Sequence, residues 1–142
     1  MTVDFKKLSD KAVAPSYGKV GDAGLDLTAT SVKIVQTPDY GYVQYGTDIA
    51  FDIPEGYVGL LFPRSSISEK GMWLANSVGV VDSNYRGEVK FRFKAIPDTA
   101  TYEVGEKVGQ IVIIPLPHIS LNEQTELSSS VRGEQAFGSS GK

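Results

Sequence analysis

Cysteine is absent from the 142 residues, and histidine occurs once, at His118. The first absence excludes a disulfide frame and any zinc–thiolate centre; the second excludes every motif that needs two or three imidazoles. Long apolar runs are also missing. None approaches the roughly 20 residues of a membrane span, and Met1-Thr-Val-Asp-Phe-Lys-Lys lacks the apolar stretch of a secretory signal. A cytoplasmic protein without membrane contact is expected. Clustered positive charge is lacking too. The net charge is −3 and the basic residues are scattered, so no stripe for nucleic acid is expected. An anionic ligand would have to be met by a few placed groups in a small site.

What is present fits one soluble all-β domain. With 41% hydrophobic residues, a chain of this length can bury a sizeable single core. Thr47 to Ile53 alternates, with Ile49, Phe51 and Ile53 on one face and Asp48 and Asp52 on the other. Glu88 to Ala95 alternates more cleanly, Val89, Phe91, Phe93 and Ala95 against Glu88, Lys90, Arg92 and Lys94. Period two with one polar face predicts half-buried antiparallel strands. Val108 to Pro115 is nearly continuous apolar sequence and predicts a strand buried on both sides. Glycine and proline punctuate the gaps, so many short strands in a sandwich or jelly roll are expected. Residues 1–22 and 128–142 look loose. One helical turn is predicted where Ser66-Ile67-Ser68-Glu69 reads as a capping box stopped by Gly71.

Several segments could carry chemistry, and each also has a plain structural reading. Pro63-Arg64-Ser65-Ser66 opens the short helix, where free N–H groups, a guanidinium and a hydroxyl suit an anion; it is equally a capped turn with a surface arginine. Asn76 to Gly87 is the densest segment. Asp82 to Gly87 is rich in turn formers and predicts a hairpin whose tip exposes backbone groups able to read a base edge. Asp82 either closes an Asx turn or stands as a carboxylate at the end of the apolar Val80-Val81. Asp26, between Leu25 and Leu27, reads as a surface strand residue. Gln110 lies inside the apolar strand and needs a hydrogen-bonding partner. The tail from Arg132 to Lys142 has a disordered composition, yet Phe137 among glycines and serines suits a lid. His118 and Trp73 read as structural.

Taken in order, these segments resemble the five motifs of the homotrimeric deoxyuridine triphosphatase family. Ala23-Gly-Leu-Asp-Leu27, Pro63-Arg-Ser-Ser66, Asn76 to Gly87, Gly105-Glu-Lys-Val-Gly-Gln110 and Arg132 to Gly141 follow the family's order and approximate spacing. The resemblance implies an all-β, jelly-roll-like distorted barrel with one short helix. Residues 1–127 would form the core, and an extended arm, 128–142, would close an active site of a neighbouring subunit. It implies a homotrimer whose three sites are each assembled from all three chains. The implied activity is hydrolysis of dUTP to dUMP and pyrophosphate with Mg²⁺, which limits uracil in DNA and supplies dUMP for dTMP synthesis.

Carried over residue by residue, Asp82 would hold and activate the water attacking the α-phosphorus. Arg64, Ser65 and the Ser66 amide would grip phosphates, Gln110 the α-phosphate region, and Arg132, Ser139 and Ser140 the γ-phosphate, with Gly138 also counted among the substrate-binding residues. The backbone of Val80, Val81 and Lys90, with the Asn76 amide, would match uracil and leave cytosine unpaired. Tyr85 would exclude a 2′-hydroxyl and Phe137 would stack on the base. Asp26 would support the metal's water shell or orient the Arg64 segment, with Mg²⁺ held mainly by triphosphate oxygens and by no direct protein ligand.

Three positions depart from the family pattern. Ser66 replaces a usual glycine, Lys107 a usual arginine, and Gln135-Ala136 a glycine pair. Lysine keeps the charge but loses the fork. The related dCTP deaminases share an Arg-Ser-Ser segment but place a catalytic glutamate where Arg92 stands. A third reading is a regulatory module that binds nucleotide to switch a protein partner.

Overall fold

A computed structural model describes residues 1–136, so Phe137, Gly138, Ser139 and Ser140 lie outside the described residues. Ten strands form in order: β1 (Asp4–Lys7), β2 (Leu25–Thr28), β3 (Ser31–Gln36), β4 (Gly41–Gly46), β5 (Ile49–Asp52), β6 (Tyr57–Phe62), β7 (Met72–Leu74), β8 (Gly79–Val81), β9 (Lys90–Ala95) and β10 (Lys107–Pro115). They make two four-stranded sheets, β2-β10-β6-β8 and β3-β4-β9-β7, and a β1-β5 pair. Every pairing is antiparallel. The all-β jelly-roll fold expected from the strand pattern is what the chain adopts.

The alternating segment behaves as its periodicity predicts. Val89, Phe91 and Phe93 are buried while Lys90 and Arg92 are exposed, and burying each apolar side chain is worth about 1.5–3 kcal/mol. Phe93 stands edge-on to Tyr45 at 5.9 Å, and Tyr45 edge-on to Tyr102 at 6.0 Å. Two polar groups in this core are satisfied locally: Tyr45 Oη donates to the Tyr102 carbonyl at 2.9 Å, and Thr47 Oγ1 donates to the Val89 carbonyl at 2.7 Å.

Four expectations need correction. The turn at Ser65–Glu69 is a 3-10 helix, and its cap residue is Arg64, without a side-chain cap. No capping box forms; Ser68 Oγ instead donates to the Ser65 carbonyl at 3.0 Å, as the tighter i+3 winding allows. Residues 1–22 are not loose throughout, since β1 pairs with β5, Ala12 is buried and Ser16 bridges Asp26. The apolar run of β10 is buried only around Val108, Gly109 and Ile111; Ile114 is exposed. Finally, the arms flanking Asp82–Gly87 do not pair with each other. β8 pairs with β6 and β9 with β4 and β7, so the connection crosses between sheets.

Candidate active site

Because its arms diverge, the segment around Asp82 frames a cleft of about 520 Å³. Asn76, Val80, Val81, Asp82, Tyr85 and Lys90 all line it, over apolar side chains of Leu61, Leu74 and Phe91. One wall is the free edge of a sheet. β8 is the last strand of its sheet, paired only to β6 through Gly59↔Val81, Leu60↔Val80 and Leu61↔Gly79. Among the described residues, the backbone groups on its other side have no ladder partner. The opposite wall is the start of β9. There β7 pairs only with Phe93, Lys94 and Ala95, leaving Lys90 and Phe91 uncovered on that side. The backbone donors and acceptors expected from a hairpin tip come instead from these two edges.

The loop that carries Asp82 is fixed by its own bonds. Tyr85 N donates to the Asp82 carbonyl at 3.1 Å, and Tyr85 Oη to the Glu88 carbonyl at 3.0 Å. The Tyr85 ring lies directly against Gly87, where any side chain would collide with it. Arg86 donates to the Ser83 carbonyl at 2.6 Å and to the Tyr85 carbonyl at 3.2 Å, and pairs with Asp52 at the end of β5. The turn is therefore closed by main-chain bonds and Arg86. Among the described residues the Asp82 carboxylate joins no hydrogen bond and no ion pair, so the Asx-turn reading of that side chain falls away.

Two other charged groups border this cleft. Glu88 accepts from Asp48 N at 3.1 Å and pairs with Lys90 at 3.1 Å. Arg92, at the position where a deaminase would carry its glutamate, donates through Nε to Gln44 Oε1 at 2.9 Å and lies 4.6 Å from the Tyr42 ring centre. Among the described residues lining this cleft, Asp82 carries the only carboxylate without a partner.

A second cleft, of about 540 Å³, gathers Asp26, Arg64, Ser65 and Gln110 with Lys19, Asp22, Gly24 and Lys107. Asp26 is not a plain surface residue: its carboxylate is only 14% exposed and lies between two cations. Arg64 Nε is 3.4 Å from Oδ1, and Lys107 Nζ is 2.7 Å from Oδ2. Gln110 pairs with Asp26 across β10 and β2. Its amide donates to the Pro63 carbonyl at 3.1 Å, and its Oε1 packs on Gly24, where a Cβ would collide. That answers why an amide interrupts an apolar strand: it ties the Pro63-Arg64 turn to β10.

Not every expected residue joins these clefts. Ser66 lines an adjoining hollow with Glu69, Lys70 and Tyr102. Arg132 is exposed in the tail, where its Nε donates to the Gln135 carbonyl at 2.9 Å. Trp73 is 54% exposed and His118 is exposed, so neither packs the chain's core. The sequence reading left out Gln44, Glu88 and Lys107 as lining residues. Their signal is cross-strand pairing, which no single segment displays.

Comparison with known proteins bears on this arrangement. The dUTPase family model matches residues 10–141. The deoxyuridine 5'-triphosphate nucleotidohydrolase of Hydrogenobaculum sp. is 38% identical over 143 residues, covering 99% of each chain. Among solved structures, a dUTPase mutant of Staphylococcus bacteriophage 80alpha with dUpNHpp superposes with a TM-score of 0.82 at 30% identity, over 99% of both chains. A mutant dUTPase from phage phi11 of S. aureus, described with a coordinated structural Mg(II) ion, gives a TM-score of 0.72 at 25% identity, over 89% of this chain and 98% of that one.

Proposed function

Because the chain belongs to the dUTPase family and is a dUTP diphosphatase, we propose that its two clefts divide the nucleotide, base and attacking water at one, phosphates at the other. The observation that carries this reading is the unpartnered Asp82 carboxylate beside the free edge of β8. Uracil offers an acceptor at O4 and a donor at N3; the edges at Val80, Val81 and Lys90, with the Asn76 amide, complement that pair. Cytosine reverses it and leaves them unpaired, a mismatch able to discriminate by roughly 10⁴–10⁵. Tyr85, held by Glu88 and Gly87, lies beneath the sugar and leaves no room for a 2′-hydroxyl.

Asp82 holds the water in line with the α-phosphorus and takes its proton. A carboxylate is a weak base, so positioning and charge stabilisation supply most of the acceleration. Arg64 and Ser65, with the Ser66 amide, grip the phosphates and Gln110 faces the α-phosphate. Mg²⁺ would be held chiefly by the nucleotide's own phosphate oxygens and not by a protein cage. Among the described residues no three acidic or histidine side chains converge, and both Asp26 oxygens already face cations, so the donor set fits an ion held mainly by phosphate oxygens. When bound, it offsets the negative charge of the phosphates.

The clefts lie at opposite edges of one four-stranded sheet, beside β8 and β2, so a neighbouring copy would complete each site in a homotrimer. Exposed apolar residues support such an assembly: Ile114, Leu116, Ile119, Leu121 and Leu127 follow one another along the end of β10 and the segment after it. The arm 128–142 would reach a third site, bringing Phe137 over uracil and Arg132, Gly138, Ser139 and Ser140 to the γ-phosphate.

The test is Asp82→Asn. Pyrophosphate release from dUTP with Mg²⁺ should fall by about 10²–10⁴-fold, while calorimetry still detects dUTP binding. Near-normal turnover removes Asp82 from the mechanism.

A further inference from the structure

Lys107 stands next to Asp26 because of an irregularity in β10. Gln110 pairs with Asp26 and Gly109 with Leu27, but the next partner of Thr28 is Lys107 and not Val108. One extra residue, a β-bulge, therefore sits at Val108. In a regular strand Lys107 would share the face of Gly109 and Ile111, which is buried. The bulge drops Val108 into the core, where it is fully buried, and turns Lys107 to the face of Asp26 and Gln110. Re-aiming a side chain in this way is a common use of bulges beside active sites.

We propose that Lys107 is a positioning residue for dUTP hydrolysis, acting through Asp26 to present Arg64 to the phosphates. The inference rests on the reading of Arg64 as a phosphate ligand. Lys107 Nζ fixes Oδ2 of Asp26 at 2.7 Å, which leaves Oδ1 facing Arg64 Nε at 3.4 Å. Held by Nε, the guanidinium keeps its two terminal nitrogens for a ligand; among the described residues they make no hydrogen bond. With Lys107 gone, Asp26 would hold Arg64 more firmly and face the incoming triphosphate uncompensated. A lysine suffices because only one carboxylate oxygen has to be fixed, so the arginine fork is not needed here.

The experiment compares Lys107→Met, Lys107→Arg, Asp26→Asn and the Lys107→Met/Asp26→Asn double variant, with Arg64→Gln alongside. Steady-state dUTP hydrolysis with Mg²⁺ is measured, together with deoxyuridine binding and thermal melting. Lys107→Met should raise KM for dUTP about tenfold, leave deoxyuridine affinity and melting unchanged, and be rescued to within about twofold by Lys107→Arg. The double variant should be no worse than Asp26→Asn alone, as expected when one residue acts through the other. If the two losses multiply, Lys107 meets the substrate directly and the inference fails. A lower melting temperature that accounts for the loss also overturns it, by making Lys107 structural. If Arg64→Gln raises KM while Lys107→Met matches wild type, the inference falls and the phosphate reading stands. If Arg64→Gln leaves KM unchanged, the phosphate reading itself fails.

Discussion

The two clefts are similar in size and opposite in construction. The cleft at β8 is made of backbone edges over an apolar floor, with one free carboxylate at its rim. The cleft at β2 and β10 is made of charged side chains, three cations against two carboxylates, with Arg64 and Lys107 both paired to Asp26. Backbone edges cannot rearrange without breaking a sheet, so they suit the part of a ligand that must be discriminated. Side-chain ion pairs can exchange partners, so they suit the part that must be gripped and released. On the proposed reading a neighbouring copy would bridge that division, because the two clefts lie at opposite edges of one four-stranded sheet.

The comparison breaks most visibly by mixing subunits. Asp82→Asn and Arg64→Gln proteins should each be nearly inactive. Unfolded and refolded together, they should regain roughly a quarter of wild-type activity, because random mixing leaves that share of sites with one intact cleft from each parent. No recovery would show that each subunit works with its own two clefts. A smaller effect is expected at Tyr85. Tyr85→Ala should cut the preference for dUTP over UTP by about 10–100-fold with the phosphate cleft untouched, so that pyrophosphate affinity stays constant. An equal loss for both nucleotides would make Tyr85 a loop anchor only.

The smallest effect concerns what the clefts share. Burial pushes the Tyr45 phenol above its ordinary value of 10.0. The folded state therefore keeps a proton that the unfolded state releases, so stability is full below pH 10 or so and declines as pH rises toward the folded value. Tyr45→Phe should cost about 1 kcal/mol by leaving the Tyr102 carbonyl without its donor, and should remove Tyr45's part of the alkaline decline. Both clefts should lose function together in that melt, since Tyr45 touches neither.

Local pattern made some of this legible and left the rest out of reach. Glu88–Ala95 declared its faces because the sheet covers only one of them. Val108–Pro115 looked doubly buried because an apolar run carries no record of what, if anything, packs on each of its faces. The divergence of β8 and β9 escaped notice because periodicity identifies a strand and not its partner. The bulge at Val108 is invisible for the same reason, and with it the place of Lys107. Asp82, Tyr85, Arg64 and Gln110 were singled out through the order of the motifs; taken alone, Asp82, Tyr85 and Arg64 read as ordinary turn residues and Gln110 as an amide in an apolar strand that needs a partner.

β8 offers one more consequence. Its open edge is three residues long, about 10 Å at strand spacing. That is enough backbone for one nucleobase and too little to recruit a strand from another chain, the usual hazard of a bare sheet edge. The brevity that would suit this edge to a single base also keeps it from seeding aggregation, so lengthening β8 to improve binding would put solubility at risk.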